Sequence, residues 1–165
     1  MTAGVARFGT TMTDHDAIAA LVYAYAERID AGDFEEVARL FTHGRYGMAG
    51  GPAARGAAAV GAALAVVKLH DGSPRTKHVT TNLTVDIDET NGSATARSYF
   101  TVLQATATLP LQVILAGRYH DRFARLNGAW HFTERLIHID LTGELREHLR
   151  GGRLPTSGSV STGGT

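Results

Sequence analysis

Tyr25 and Asp30 lie in YAYAERIDAGDFEEVARLF, the stretch from Tyr23 to Phe41, and both side chains can hold or move a proton. Stepping back from Asp30 by four residues at a time gives Ala26, Val22 and Ile18, so the carboxylate ends an apolar helical stripe. Two readings fit it. In one, the helix frays at Ile29 and Asp30 is a solvated acid or local cap before Gly32. In the other, Asp30 stays on the buried face, where a carboxylate stripped of water must be hydrogen-bonded, paired or protonated. Tyr25 shares that face, and its phenol also needs a partner.

Histidine is the natural complement, and the chain has eight. His15 and His148 fall in segments read as exposed helix, and His43 and His70 near helix ends, so each reads as a surface residue. His120, His131 and His138 fall within strands. No HxH or HExxH pattern occurs, which gives no support to a metal centre. His78 differs, because it opens a long strand at TKHVTTN. Alternation groups it with Thr80, Asn82 and Thr84, opposite Val79, Thr81, Leu83, Val85 and Ile87. Parity alone therefore turns His78 outward, unless the polar side faces a cleft near the strand's start or a bulge reverses the alternation. Arg118, Asp121, Arg122, Arg125, Glu134 and Arg135 read as cross-strand ion pairs on a sheet face. No Gly-rich phosphate loop and no GxSxG motif is present, so nucleotide binding and serine hydrolysis have no support.

Positioning these side chains falls to a simple order of elements. Thr13 with Asp14 and Asp16 starts a helix whose buried side is Ile18, Leu21, Val22, Tyr25 and Ile29, ending at Ala31-Gly32. Asp33 with Glu36 forms a capping box for a second helix, which buries Phe34, Val37, Ala38 and Phe41. Gly44 to Pro52 reads as a short strand and loop, and Gly56 to His70 as a third, Ala-rich helix. Four long strands follow, with Asn91-Gly92 and Asn127-Gly128 as hairpin turns between them. The expected fold is α+β: a strongly curved antiparallel sheet of four long strands plus a short one, with three N-terminal helices forming a cone-shaped pocket. Gly117 within a long strand supports the bend. The expected organisation is a loose arm at 1–12, one domain at 13–145, and a Gly/Ser/Thr-rich tail at 146–165.

Composition narrows the function. The 165 residues are 44% hydrophobic and 19% charged with zero formal net charge, so no global field draws nucleic acid or an anionic membrane. Cysteine is absent, which removes disulfides and thiolate catalysis and fits a cytoplasmic setting. No signal-like or membrane-spanning stretch is read in the sequence.

Four pieces, IAALVYAYAERIDAGDFEEVARLF, TKHVTTN, AGRYHDRF and AWHFTERLIHIDL, in this order across about residues 14–141, resemble the SnoaL-like family. That family has the cone-shaped fold named after nuclear transport factor 2. The branch they resemble most contains scytalone dehydratase and the bile-acid 7α-dehydratases. The resemblance implies that Tyr25, Asp30 and His78 meet inside the cone, with Asp30 accepting the imidazole N–H and the other ring nitrogen facing substrate. It implies a lyase or isomerase without metal or organic cofactor, acting next to a carbonyl of a small hydrophobic cyclic substrate such as a steroid or polyketide. Tyr46, Met48, Asn82, Tyr99 and Thr101 are the expected substrate-contacting residues. One departure bears on the reaction: the dehydratases supply a second His or acid from the strand after the first hairpin, where this chain has Tyr99, Thr101 and Gln104. The alternatives are a non-catalytic small subunit of a ring-hydroxylating dioxygenase and a module that binds a hydrophobic metabolite. Apolar residues on both parities of the last strands point to a homo-oligomer, a trimer before a dimer.

Overall fold

The computed structural model describes residues 12–154. The expected arm lies almost wholly outside the described residues, as does the end of the expected tail. Helices α1 (Asp14–Ala31), α2 (Phe34–Arg39) and α3 (Gly56–Leu64) accompany strands β1 (Arg45–Met48), β2 (Ala53–Arg55), β3 (Thr76–Asp88), β4 (Ser93–Gln104), β5 (Gln112–Leu126) and β6 (Ala129–Thr142). The strands form one curved, unclosed sheet in the order β2-β1-β6-β5-β4-β3, antiparallel except where β1 runs parallel to β6. This is the expected α+β architecture with one more short strand, β2, than the sequence suggests.

Local chemistry explains the helix boundaries. Thr13 and Asp16 form a reciprocal capping box, and Gly32 closes α1 in the left-handed conformation at φ 79°. Ile18, Val22, Tyr25, Ala26 and Ile29 are the buried stripe of α1. Asp33 caps α2 by accepting from the Glu36 N–H at 3.2 Å. Glu36 does not complete a box; its carboxylate pairs with Arg39. The third helix stops at Leu64, short of the expected His70. Beyond it the backbone pairs with the C-terminal segment instead: the Lys68 N–H donates to the His148 carbonyl at 2.8 Å, and the Arg150 N–H to the Val66 carbonyl at 2.9 Å.

The strand pairing has four register irregularities, one of them between β4 and β5 at Val102/Leu103. In β3, Thr81 pairs with Tyr99 but Thr84 with Arg97, so one extra residue is inserted. Asn82 takes that bulge at φ 53°, a left-handed conformation that Asn tolerates better than most residues. Between β5 and β6 the register slips at Ala116/Gly117. A Cβ on Gly117 would lie 2.0 Å from the His138 carbonyl oxygen, so the two backbones approach only because glycine stands there. A further slip follows Arg122.

The hairpins differ. Asn127 and Gly128 both have positive φ, as a two-residue I′ turn requires. The expected Asn91-Gly92 turn is instead the end of a four-residue loop, Glu89 to Gly92. Asp88 accepts from the Asn91 backbone N–H at 3.1 Å and its side-chain amide at 2.6 Å.

Candidate active site

The β3 bulge decides where His78 points. Before it, Thr76 and His78 face the helices; after it, Leu83, Val85 and Ile87 do. Val79 and Thr81, which strict alternation would place with Leu83, are exposed on the outer face. The inserted residue thus lets one strand present polar groups to the cavity at one end and apolar groups to the core at the other.

Asp30 closes onto the polar end. Its Oδ1 lies 2.6 Å from His78 Nδ1, its Oδ2 accepts the His78 backbone N–H at 2.8 Å, and the Thr76 hydroxyl donates to Oδ1 at 2.7 Å. The Asp30 and His78 side chains are only 7% and 8% exposed. Burial alone would raise the Asp30 pKa. The His78 ring bond and charge, the backbone N–H and the Thr76 hydroxyl outweigh it, holding the carboxyl below its ordinary range. An ionised Asp30 accepts from Nδ1–H, which fixes the tautomer of the neutral ring so that Nε2 carries the lone pair.

Tyr25 reaches the cavity from the same helix. Its ring stands edge-on to His78 at 6.4 Å, and its hydroxyl lies 3.0 Å from that of Tyr46. Burial raises both phenol pKa values, so both stay neutral. Two bonded phenols spend one O–H on each other and keep the second for a guest oxygen. Beneath them lies Arg135, fully buried, its guanidinium carbon 4.3 Å from the Tyr25 ring centroid and 4.1 Å from that of Tyr119. Asp121, 2% exposed, holds it through bonds of 2.9 and 2.6 Å. The pair is cross-strand, as the sequence suggests, but the guanidinium points inward among aromatic rings rather than lying on an open sheet face.

Tyr25, Tyr46, His78 and Tyr119 border a cavity of about 680 Å³ whose apolar wall includes Ile29, Leu64, Val67, Val102, Leu115 and Ile137. That size suits a small organic molecule. The segment after β6 completes the wall: Leu145, His148 and Leu149 are buried, and His148 and Leu149 line the cavity. The expected boundary at 145/146 therefore cuts through packed structure, because Leu149 bridges to Val67 and Gln104 Nε2 donates to the Glu147 carbonyl at 3.2 Å.

Burial, the charge of His78 and that of His70 push the His148 imidazole down to about 4, against the smaller opposing pull of Asp30. The unfolded chain protonates this group near its ordinary 6.5, so between those values the unfolded state binds more protons. Stability is expected to fall as pH drops through that window, by at most about 3.5 kcal/mol at roughly 1.4 kcal/mol per pH unit. The urea midpoint measured from neutral pH down to about 4 should show this fall, and His148→Gln should flatten it. Asp30 adds a loss at still lower pH, because its folded pKa is depressed and its stabilisation vanishes as pH falls through that value.

Of the other expected contact residues, Tyr46 and Met48 line the cavity. Tyr99 and Thr101 do not: β4 turns Ala94, Ala96, Phe100 and Val102 inward, so the odd-numbered residues lie on the outer face and Tyr99 is 53% exposed. Asn82 is exposed and shapes the bulge rather than the cavity. Sequence reasoning misses Thr76, Arg135 and His148. Thr76 shares parity with His78, a signal that could have found it; the other two carry no local signal. Among the described residues, no cluster of three or more His, Cys, Asp or Glu side chains could hold a metal ion, and no helix is long and apolar enough to cross a membrane.

A family model for the SnoaL-like domain matches residues 10–136. No curated protein matches the chain. Among solved structures, a variant of Rv3472 from Mycobacterium tuberculosis, a protein of unknown function, is 30% identical with a TM-score of 0.62, over 75% of this chain and 74% of that one. A candidate scytalone dehydratase from Novosphingobium aromaticivorans is 21% identical with a TM-score of 0.66, over 92% and 95%. ActVI-ORFA from Streptomyces coelicolor is 22% identical with a TM-score of 0.66, over 76% and 96%. The last two likenesses speak to the fold.

Proposed function

The chain belongs to the SnoaL-like family, and on that premise we propose that it is a lyase or isomerase acting beside the carbonyl of a small hydrophobic cyclic compound. The observation that carries this reading is the 2.6 Å contact between Asp30 and His78 at the edge of an apolar cavity that also holds Tyr25. His78 Nε2 removes a proton from the carbon next to the carbonyl. The Tyr25–Tyr46 pair donates its spare O–H to the oxygen on which negative charge develops, and the Arg135 charge beneath favours that build-up. Asp30 stabilises the imidazolium. The imidazolium then returns its proton, either to a hydroxyl on the β carbon, which leaves as water, or to a different carbon, which isomerises the substrate. The scytalone and bile-acid dehydratase branch is the proposed affiliation.

Binding without turnover is the second reading. It is favoured by β4, whose cavity-facing residues Phe100 and Val102 offer no acid. A panel of steroid and polyketide-like β-hydroxy ketones, followed by absorbance, separates the two. Turnover by the wild type that is absent in His78→Ala supports the enzyme, and saturable binding without product supports the container.

Self-association through the outer sheet face is part of the proposal. Val79, Tyr99, Val113 and Leu141 are exposed there. Sedimentation velocity should give an oligomer, with a trimer expected before a dimer, and Tyr99→Glu should shift it toward monomer.

A further inference from the structure

Resting on that reading of the site, we propose that His148 is a substrate-contacting residue whose imidazole hydrogen-bonds a second oxygen of the guest, the hydroxyl β to the carbonyl. The Tyr25–Tyr46 pair serves one oxygen, and His78 turns to the hydroxyl only after it has taken the proton from carbon, so in the bound substrate that hydroxyl has no partner yet. His148 suits that task. It lines the cavity together with His78 and is 7% exposed, and neither of its ring nitrogens has a hydrogen-bond partner among the described residues; Nδ1 is sealed from solvent, which leaves Nε2 as the nitrogen a guest oxygen can meet. A buried ring nitrogen of this kind normally finds a protein partner.

The ring is held in place rather than trailing from a tail. The His148 carbonyl accepts from the Lys68 N–H at 2.8 Å, and its own N–H donates to the Leu145 carbonyl at 3.0 Å. The neighbouring Glu147 carbonyl accepts from His70 at 2.7 Å and from Gln104 at 3.2 Å. Leu145 and Leu149 are buried on either side. Other polar groups at the cavity are less suited. Arg118 and Asp140 pair twice at 2.8 Å, and His138, whose Nε2 also lacks a partner, packs its ring on His120 at 4.2 Å.

Charge fits the role. Burial and the nearby His78 and His70 keep His148 neutral, while Asp30 acts in the opposite sense without reversing it. A neutral imidazole offers one donor and one acceptor, so it can hold a hydroxyl in either sense without competing with His78 for the abstracted proton. The inference therefore narrows the substrate class to compounds with a carbonyl and a β-hydroxyl together.

Calorimetric titration in a His78→Ala background, which binds without turnover, with a decalin-sized β-hydroxy cyclic ketone and with the same ketone lacking the hydroxyl, tests this. With His148 intact, this background should prefer the hydroxylated probe by about tenfold, the worth of one net hydrogen bond. His148→Leu should abolish that preference while leaving affinity for the plain ketone within about twofold, and His148→Gln, which keeps a donor and an acceptor, should retain part of it. Circular dichroism confirms that each variant is folded, and if His148→Leu is not, loss of the preference in His148→Phe carries the test. An undiminished preference in a folded variant without the imidazole overturns the role of His148 alone, with the Tyr25, Asp30 and His78 reading untouched. If the wild type binds neither probe, both readings fall.

Discussion

His78→Ala is expected to lower kcat for a β-hydroxy cyclic ketone by about 100- to 10,000-fold, the range over which a positioned general base contributes. Ligand affinity should change far less, because the apolar wall supplies most of the contact. The reason lies in the geometry: His78 Nδ1 is held by Asp30 at 2.6 Å, the backbone N–H of the same residue holds the other carboxylate oxygen, and Thr76 holds Oδ1 as well. The ring therefore has one orientation and one tautomer. Asp30→Asn should also be slow, since the amide can turn its carbonyl or its NH₂ toward Nδ1 and so no longer enforces the working tautomer. Steady-state kinetics by formation of the conjugated enone reads both. A His78→Ala rate within about threefold of wild type, far short of a general base's usual share, would remove the imidazole from the chemistry.

Asp121→Ala should destabilise the fold by about 3–5 kcal/mol, the cost of leaving a buried partner charge unpaired. Asp121 and Arg135 face each other across β5 and β6 in register, and both are almost wholly buried. Without the carboxylate, the guanidinium keeps only the faces of Tyr25, Tyr119 and Phe132 for company. Replacing both residues by Leu and Met should recover most of the loss, because it removes the charge together with its partner. Urea denaturation of the two variants checks this, and a single variant within about 1 kcal/mol of wild type would show that water reaches the guanidinium. The double variant separates stability from chemistry: restored stability with slowed turnover is expected, because the positive charge beneath the phenols is gone.

The stripe of Ile18, Val22 and Ala26 beneath Asp30 is legible because a helix repeats its faces, and a carboxylate continuing an apolar face raises a question that only a partner answers. His78 is harder. Strand parity sets it against Val79 to Ile87, and its inward placement is legible only through the family resemblance. The physical cause is the single residue inserted at Asn82, which reverses the alternation halfway along β3. Tyr99 and Thr101 fail for the converse reason, since β4 alternates without interruption up to Val102. Arg135 and Asp121 look like an ordinary cross-strand pair, as nothing local distinguishes an inward guanidinium from an outward one. His148 reads as surface because its surroundings, Val67, Lys68 and Gln104, are distant in the chain. The same long-range pairing ends α3 at Leu64. What periodicity cannot convey is a segment whose backbone partners, as with Lys68 and His148, lie at the far end of the chain.

In the proposed reaction His78, oriented by Asp30, takes a proton from carbon, and every later step depends on that transfer. Hydrogen–deuterium exchange at the α carbon of a bound cyclic ketone that lacks a leaving group, followed by NMR in heavy water, tests it without requiring the natural substrate. Exchange should be accelerated by the wild type and fall to the uncatalysed rate in His78→Ala. A ketone that binds in the cavity yet exchanges no faster than in buffer would contradict it.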